Sequence, residues 1–389
     1  MNDLLQRHLE PIFRRNFDSR GELGASFSVW KNGEEIVSLH HGWKDRDQKE
    51  AWTSDSKVPV WSATKGPSAI ATLLALHRAG LSFDAPVSDL WPELKAAKES
   101  RLTFVQLLSH QSGLPALSQD NRPDVLNYPA VIRALEIQEP YWPPGKGHGY
   151  HPRTIGFLAD EVVRRATGGT TLGRFWNDEI AGPLKIDFRI GSLSADWVER
   201  TATIYPPRVQ STPEEELPFY RAMAKKGSLA ASVFSSPRGI RALSDINKIE
   251  NLQAGLPALG GVGSAIGLAR FYAILAGKGR MDGVEVLPRS VFDAASQLRT
   301  SGDDQSFMMP TAFTAGFMRD PIDFQGRKLR TLFGPSLTAF GQPGAGGSHA
   351  FADPENGLSF AYVMNQMQTG VLPNRKSLDL VDALYDRLN

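Results

Sequence analysis

Strand-forming sequence stands at both ends of this chain, and helix-forming sequence fills the middle. Near the N-terminus, "ASFSVWKNGEEIVSLHHG" reads as two strands meeting at Asn32-Gly33, a strong short hairpin signal. Near the C-terminus, "SHAFADPENGLSFAYVMNQM" reads as two more strands around a Pro-Glu-Asn-Gly turn, followed by a helix in "NRKSLDLVDALYDRL". Two strand pairs this far apart bury their apolar faces most simply in one antiparallel sheet, with the intervening chain inserted between them. The fold class expected is therefore α+β. Residues 1–85 and 255–389 would form an α/β domain whose sheet draws on both termini, and 86–254 a mainly helical inserted domain.

Helical periodicity supports that division. Leu5, Leu9, Ile12 and Phe13 mark one face of an N-terminal amphipathic helix. Residues 62–79 read as a helix ended by Gly80. "TFVQLLSH", "IGFLADEVVRRATG" (closing at Gly168) and "SAIGLARFYAILAGKG" read as further helices. Residues 185–254, rich in proline and charge, are too long for a simple connection and are expected to be irregular excursions that wall a pocket. No dinucleotide or P-loop glycine pattern occurs.

Composition narrows the function. A net charge of +1 over 389 residues, without long charged blocks, leaves no electrostatic signature of nucleic-acid or membrane partners. With no cysteine, thiolate nucleophiles and thiolate metal sites are excluded, and the eight histidines form no ligand cluster. Neighbouring His40 and His41 would point to opposite faces of a strand. No metal or cofactor is expected. The N-terminal segment lacks the apolar region of a secretory signal, so a cytoplasmic location is expected.

The chemistry-bearing candidate is "WSATKG", residues 61–66, with Ser62 three residues before Lys65. Ser28/Lys31 and Ser54/Lys57 share the spacing. The former lies in a strand, where residues three apart face opposite sides. The latter sits in a polar segment with no rigid element to hold it. Only Ser62 and Lys65 open a helix, where positions i and i+3 share a face beside free backbone N–H groups. A serine hydroxyl needs an adjacent base, and a lysine can serve once burial lowers its pKa; apolar Trp61 would help desolvate it. Pro67 is awkward in such a helix because it removes one hydrogen bond.

Further segments extend the pattern. "GLSFDAPVSDLWPEL" followed by "RLTFVQLLSHQSGLP", then "PPGKGHGYHPRTIGFLADEVVRRATG", then "FGQPGAGGSHAFADPENG" occur in that order after "WSATKG". In these the chain resembles the serine β-lactamase and penicillin-binding superfamily, in particular class C β-lactamase-like (family VIII-type) carboxylesterases. The resemblance spans most of the chain and implies a β-lactamase/D,D-peptidase-like fold. It makes Tyr150 the third catalytic residue, although the usual Tyr-x-Asn here reads Tyr150-His151-Pro152. Pro152 would take the first position of the following helix. The third motif reads Gln342-Pro343-Gly344, where small residues would let substrate lie close, and the amides of Ser62 and Ala345 would form an oxyanion hole. Trp61, His151, Gln342 and Gly344 are the expected substrate-binding residues. An uncharged Gln342, where the lactamases keep a cation, points away from β-lactams and toward small uncharged esters.

The function expected is thus a serine carboxylesterase forming an acyl-enzyme on Ser62, with a small-molecule ester as its partner and the oligomeric state open. The rivals are a β-lactamase or D,D-peptidase, an acyltransferase, and a catalytically silent binding protein on the same fold. An α/β-hydrolase would need a G-x-S-x-G elbow, and Gly346-Gly347-Ser348-His349-Ala350 only approaches one.

Overall fold

The computed structural model describes residues 2–118, 122–208 and 211–388; Val209 and Gln210, inside the expected pocket-wall segment, lie outside them. Asn32 and Gly33 both take positive φ, 52° and 88°, as a two-residue hairpin turn requires. They join Gly24–Lys31 (β1) to Glu34–Gly42 (β2). Six later strands follow: Thr300–Asp303 (β3), Pro310–Phe313 (β4), Met318–Arg319 (β5), Phe340–Gly341 (β6), His349–Asp353 (β7) and Leu358–Met364 (β8). The eight form one sheet in the order β2-β1-β8-β7-β6-β5-β4-β3. Ala25 stands opposite Met364 and Lys31 opposite Leu358, so the first and last strands of the chain pair with each other, one strand in from the β2 edge. β3 to β5 escape a reading by alternation because they are short and lie among polar and glycine residues.

Helices cover both faces. The main ones are Asn2–Ser19 (α1), Lys65–Arg78 (α2), Thr154–Thr167 (α3), Ala265–Ala276 (α4) and Arg375–Leu388 (α5). Alternate residues of β8 show the division. The Tyr362 ring packs on Phe13 of α1 at 6.3 Å, while the Ser359 hydroxyl donates to the Ala269 carbonyl of α4 at 2.7 Å. Leu5, Leu9 and Phe13 are buried as their spacing predicts. Buried Glu22 joins the two ends, accepting from Tyr362 at 2.7 Å and pairing with Lys376 of α5 at 2.9 Å.

The middle of the chain departs from a purely helical insertion. Phe188–Ile190 pairs with Gly261–Gly263, which also pairs with Val58–Pro59, in a separate three-stranded sheet. Residues 185–254 are more ordered than expected, with short helices at Ala195–Glu199, Leu217–Ala224, Leu229–Val233 and Ile249–Gln253. Among the described residues no helix is long and apolar enough to cross a membrane.

Candidate active site

The expected helix over 62–79 begins differently. Trp61–Thr64 form a 3-10 turn, and α2 proper starts at Lys65. Pro67 therefore falls in the first α-helical turn, where an N–H has no helical partner to lose. Trp61 holds φ at +50°, an uncommon conformation for a bulky side chain. Its strain is confined to the residue before Ser62. From Ser56 to Leu76 every residue is buried except Ser62. The chain thus presents one hydroxyl from an otherwise closed wall.

Lys65 lies behind it. Its Nζ is 3.0 Å from Ser62 Oγ and donates to the carbonyls of Pro152 at 2.9 Å and Ala258 at 2.8 Å. No carboxylate pairs with it, and burial pushes its pKa well below the ordinary lysine value. Carbonyl oxygens only accept. A neutral amine would spend its two hydrogens on them and turn its lone pair to the serine hydroxyl. Both carbonyls are firmly placed. Pro152 precedes α3 by two residues instead of opening it. Ala258 packs so tightly on Gly156 that a Cβ there would lie 2.6 Å from the Ala258 nitrogen. The neighbouring Pro257 carbonyl accepts from Ser68 of α2 at 2.7 Å.

Tyr150 is buried beside this pair, with Lys65 Nζ 4.8 Å from its ring centre. Burial raises the phenol pKa; a hydrogen bond with Ser62 opposes the rise without cancelling it, so the group holds its proton. Asp304, which the sequence reading missed, fixes the backbone here. Its two carboxylate oxygens accept from the Tyr150 amide at 3.0 Å each, and it also takes the amides of Ser306 and Phe307. Phe307 stacks on Tyr150 at 4.6 Å, and Phe219 and Phe234 from the 185–254 segment pack on Phe307.

His110 was likewise missed. It is buried at φ +63°, with its ring 4.9 Å from Tyr150. Burial first, then the nearby His151 and Lys65, holds it well below the usual imidazole pKa and therefore uncharged. His151, expected to touch substrate, has no free nitrogen to offer. Nδ1 is 2.5 Å from the Gly149 carbonyl, Nε2 is 2.8 Å from Ser112 Oγ, and the residue is fully buried. Trp61 is buried too, with no acceptor for its Nε1 among the described residues.

The third motif lies past β6. Gln342 Nε2 donates to the Tyr150 hydroxyl at 3.2 Å, so Gln342, Tyr150, Ser62 and Lys65 form one connected set. Gly344 serves a different end from the open substrate path expected of it. A Cβ there would fall 2.1 Å from the Val60 carbonyl, so its bareness lets the turn close on the segment leading to Ser62. From Ala339 to Pro354 every residue is buried except Ala345, whose amide donates to no backbone carbonyl among the described residues. Ser348 of the near-miss elbow is fully buried.

The site is thus a serine at a strained helix entry with a carbonyl-held lysine behind it, on a mixed sheet-and-helix scaffold. The chain belongs to the beta-lactamase family, whose model matches residues 9–383. "Esterase/beta-lactamase LipL" of Mycobacterium tuberculosis is 30% identical over 357 residues, 91% of this chain and 80% of that protein. Among solved structures, a penicillin-binding protein homologue from Caulobacter crescentus superposes with a TM-score of 0.83 at 31% identity, covering 98% of this chain and 97% of that one. A family VIII carboxylesterase gives a TM-score of 0.83 at 28% identity with the same coverage.

Proposed function

We propose that the protein is a serine hydrolase that cleaves small uncharged carboxylic esters through an acyl-enzyme on Ser62. One observation carries the reading: of the three buried lysines among the described residues, Lys65 alone has no carboxylate partner. It is therefore the one suited to being a neutral base.

Lys65 takes the Ser62 proton as Oγ bonds to the ester carbonyl carbon. The resulting oxyanion is held by the amides of Ser62 and Ala345, the openings in two otherwise buried stretches. Collapse breaks the bond to the alkoxy oxygen, which receives its proton from Tyr150. Lys65 returns the serine proton to Tyr150. Water then attacks the acyl-serine by the same route in reverse.

The name of the mycobacterial relative joins esterase and β-lactamase. Esters are favoured here because Gln342 presents an amide where a substrate carboxylate would require a cation. A charge-assisted hydrogen bond is about twice as strong as a neutral one, so its lack weakens lactam binding by about 1–2 kcal/mol. The test is turnover of p-nitrophenyl butyrate against nitrocefin, with a fluorophosphonate label mapped by mass spectrometry. The ester should be strongly preferred, the label should fall on Ser62, and Ser62→Ala should fold but lose both. A preference for nitrocefin, or a label on another serine, contradicts the proposal.

A further inference from the structure

Gln342 has one atom that the protein leaves unused. The residue is 1% exposed. Its Nε2 faces the Tyr150 hydroxyl at 3.2 Å and the Pro343 carbonyl at 3.4 Å. That carbonyl can only accept, which fixes the amide with nitrogen on this side and Oε1 on the other. Oε1 is buried and has no donor among the described residues. Buried acceptors are normally satisfied, and one left bare beside a reactive hydroxyl calls for a donor brought by a ligand.

Its place identifies which part of the ligand. Amide bond lengths put Oε1 about 2.3 Å from Nε2, hence within about 5.5 Å of the Tyr150 hydroxyl. In the proposed mechanism, on which this inference rests, Tyr150 gives its proton to the leaving oxygen. A group on the alcohol, one or two carbons from the scissile oxygen, is therefore within reach of Oε1. That group must donate, and the Asp304 carboxylate, already taken by three amides and Thr311, offers no counter-charge for an ammonium.

We infer that the preferred substrates are partial esters of polyols, in which a hydroxyl vicinal to the scissile oxygen donates to Gln342 Oε1. A lysine here could only donate and would select an acceptor such as a carboxylate. Glutamine presents the opposite polarity on its free side.

The experiment compares kcat/KM for 2-hydroxyethyl butyrate and 2-methoxyethyl butyrate, with p-nitrophenyl butyrate as reference. The methoxy ester keeps the oxygen but lacks the donor. The hydroxy ester should be preferred at least about tenfold, since its rival leaves a buried acceptor unpaired. In Gln342→Leu the ratio should fall to about one, whatever happens to the absolute rate. Hydrolysis of p-nitrophenyl butyrate with equal rates on the two alkyl esters overturns this inference and leaves the esterase reading standing. The wild-type comparison decides this even if the variant does not fold. A preference unchanged in Gln342→Leu also overturns it, and failure on all three esters overturns both.

Discussion

Lys57 and Lys65 each follow a serine by three residues, and each is buried. They differ in what waits for them. Lys57 Nζ meets the Asp187 carboxylate at 3.0 Å and the Asp55 carbonyl at 3.0 Å. Lys65 meets two carbonyls and a hydroxyl. Lys376, buried against Glu22 at 2.9 Å, repeats the first arrangement. Burial alone therefore does not make a base. With a carboxylate beside it, a buried ammonium is compensated; among neutral acceptors the charged form is penalised and the amine is freed. On the proposed mechanism, stability and catalysis fall to different lysines by the choice of partner.

The sharpest way to break this contrast is to keep the charge and remove the neutral form. Lys65→Arg retains a cation that cannot deprotonate, so kcat on esters should fall at least ~100-fold, measured by steady-state kinetics. Comparable turnover would mean that Lys65 contributes only charge. Next in size is Tyr150→Phe, which should cost ~100-fold on alkyl esters, whose alkoxide needs a proton. On p-nitrophenyl esters, whose leaving group departs unprotonated, the loss should stay below about tenfold. An equal loss on both would assign Tyr150 to another step.

The smallest effect lies on the other side of the comparison. Lys57→Met should leave turnover per folded molecule unchanged while lowering unfolding free energy by about 1–2 kcal/mol in a denaturant titration. That is less than the ~3–5 kcal/mol of a fully buried pair because Asp187 keeps 34% of its side chain exposed. A kinetic defect in this variant would blur the division of roles.

The same pair shows where the sequence was readable. Ser62 and Lys65 stood out because their spacing coincides with a helix start, a local feature. Lys57 was misjudged as loosely held because Asp187 lies 130 residues away. The Pro152 and Ala258 carbonyls were invisible for the same reason, compounded by the fact that any residue can supply a carbonyl; they reach Lys65 across 87 and 193 positions. Asp304 sits in "SGDDQSF", where no periodicity separates an anchoring carboxylate from a solvated one. The hairpin at Asn32-Gly33 and the β7–β8 pair were legible from turn chemistry. β3 to β5 were not, since two- to four-residue strands owe their form to neighbours in the sheet. Gly344 and His151 were expected to touch substrate; the approach of Gly344 to Val60 and the capture of His151 by Ser112 are tertiary facts that the sequence does not display.

The protonation of Lys65 is the point on which the account turns, and it can be measured directly. Protein labelled with 13C at lysine Cε would be titrated by NMR, with Lys65→Arg identifying the resonance. A lysine with a lowered pKa is neutral above that pKa, so ester turnover should rise with pH through the same midpoint and then level off. The account predicts that the Lys65 signal titrates well below the ~10.4 of an ordinary lysine and that the kinetic limb coincides with it. A Lys65 signal that stays that of an ammonium up to the ordinary lysine range, in an enzyme already fully active at neutral pH, would contradict it.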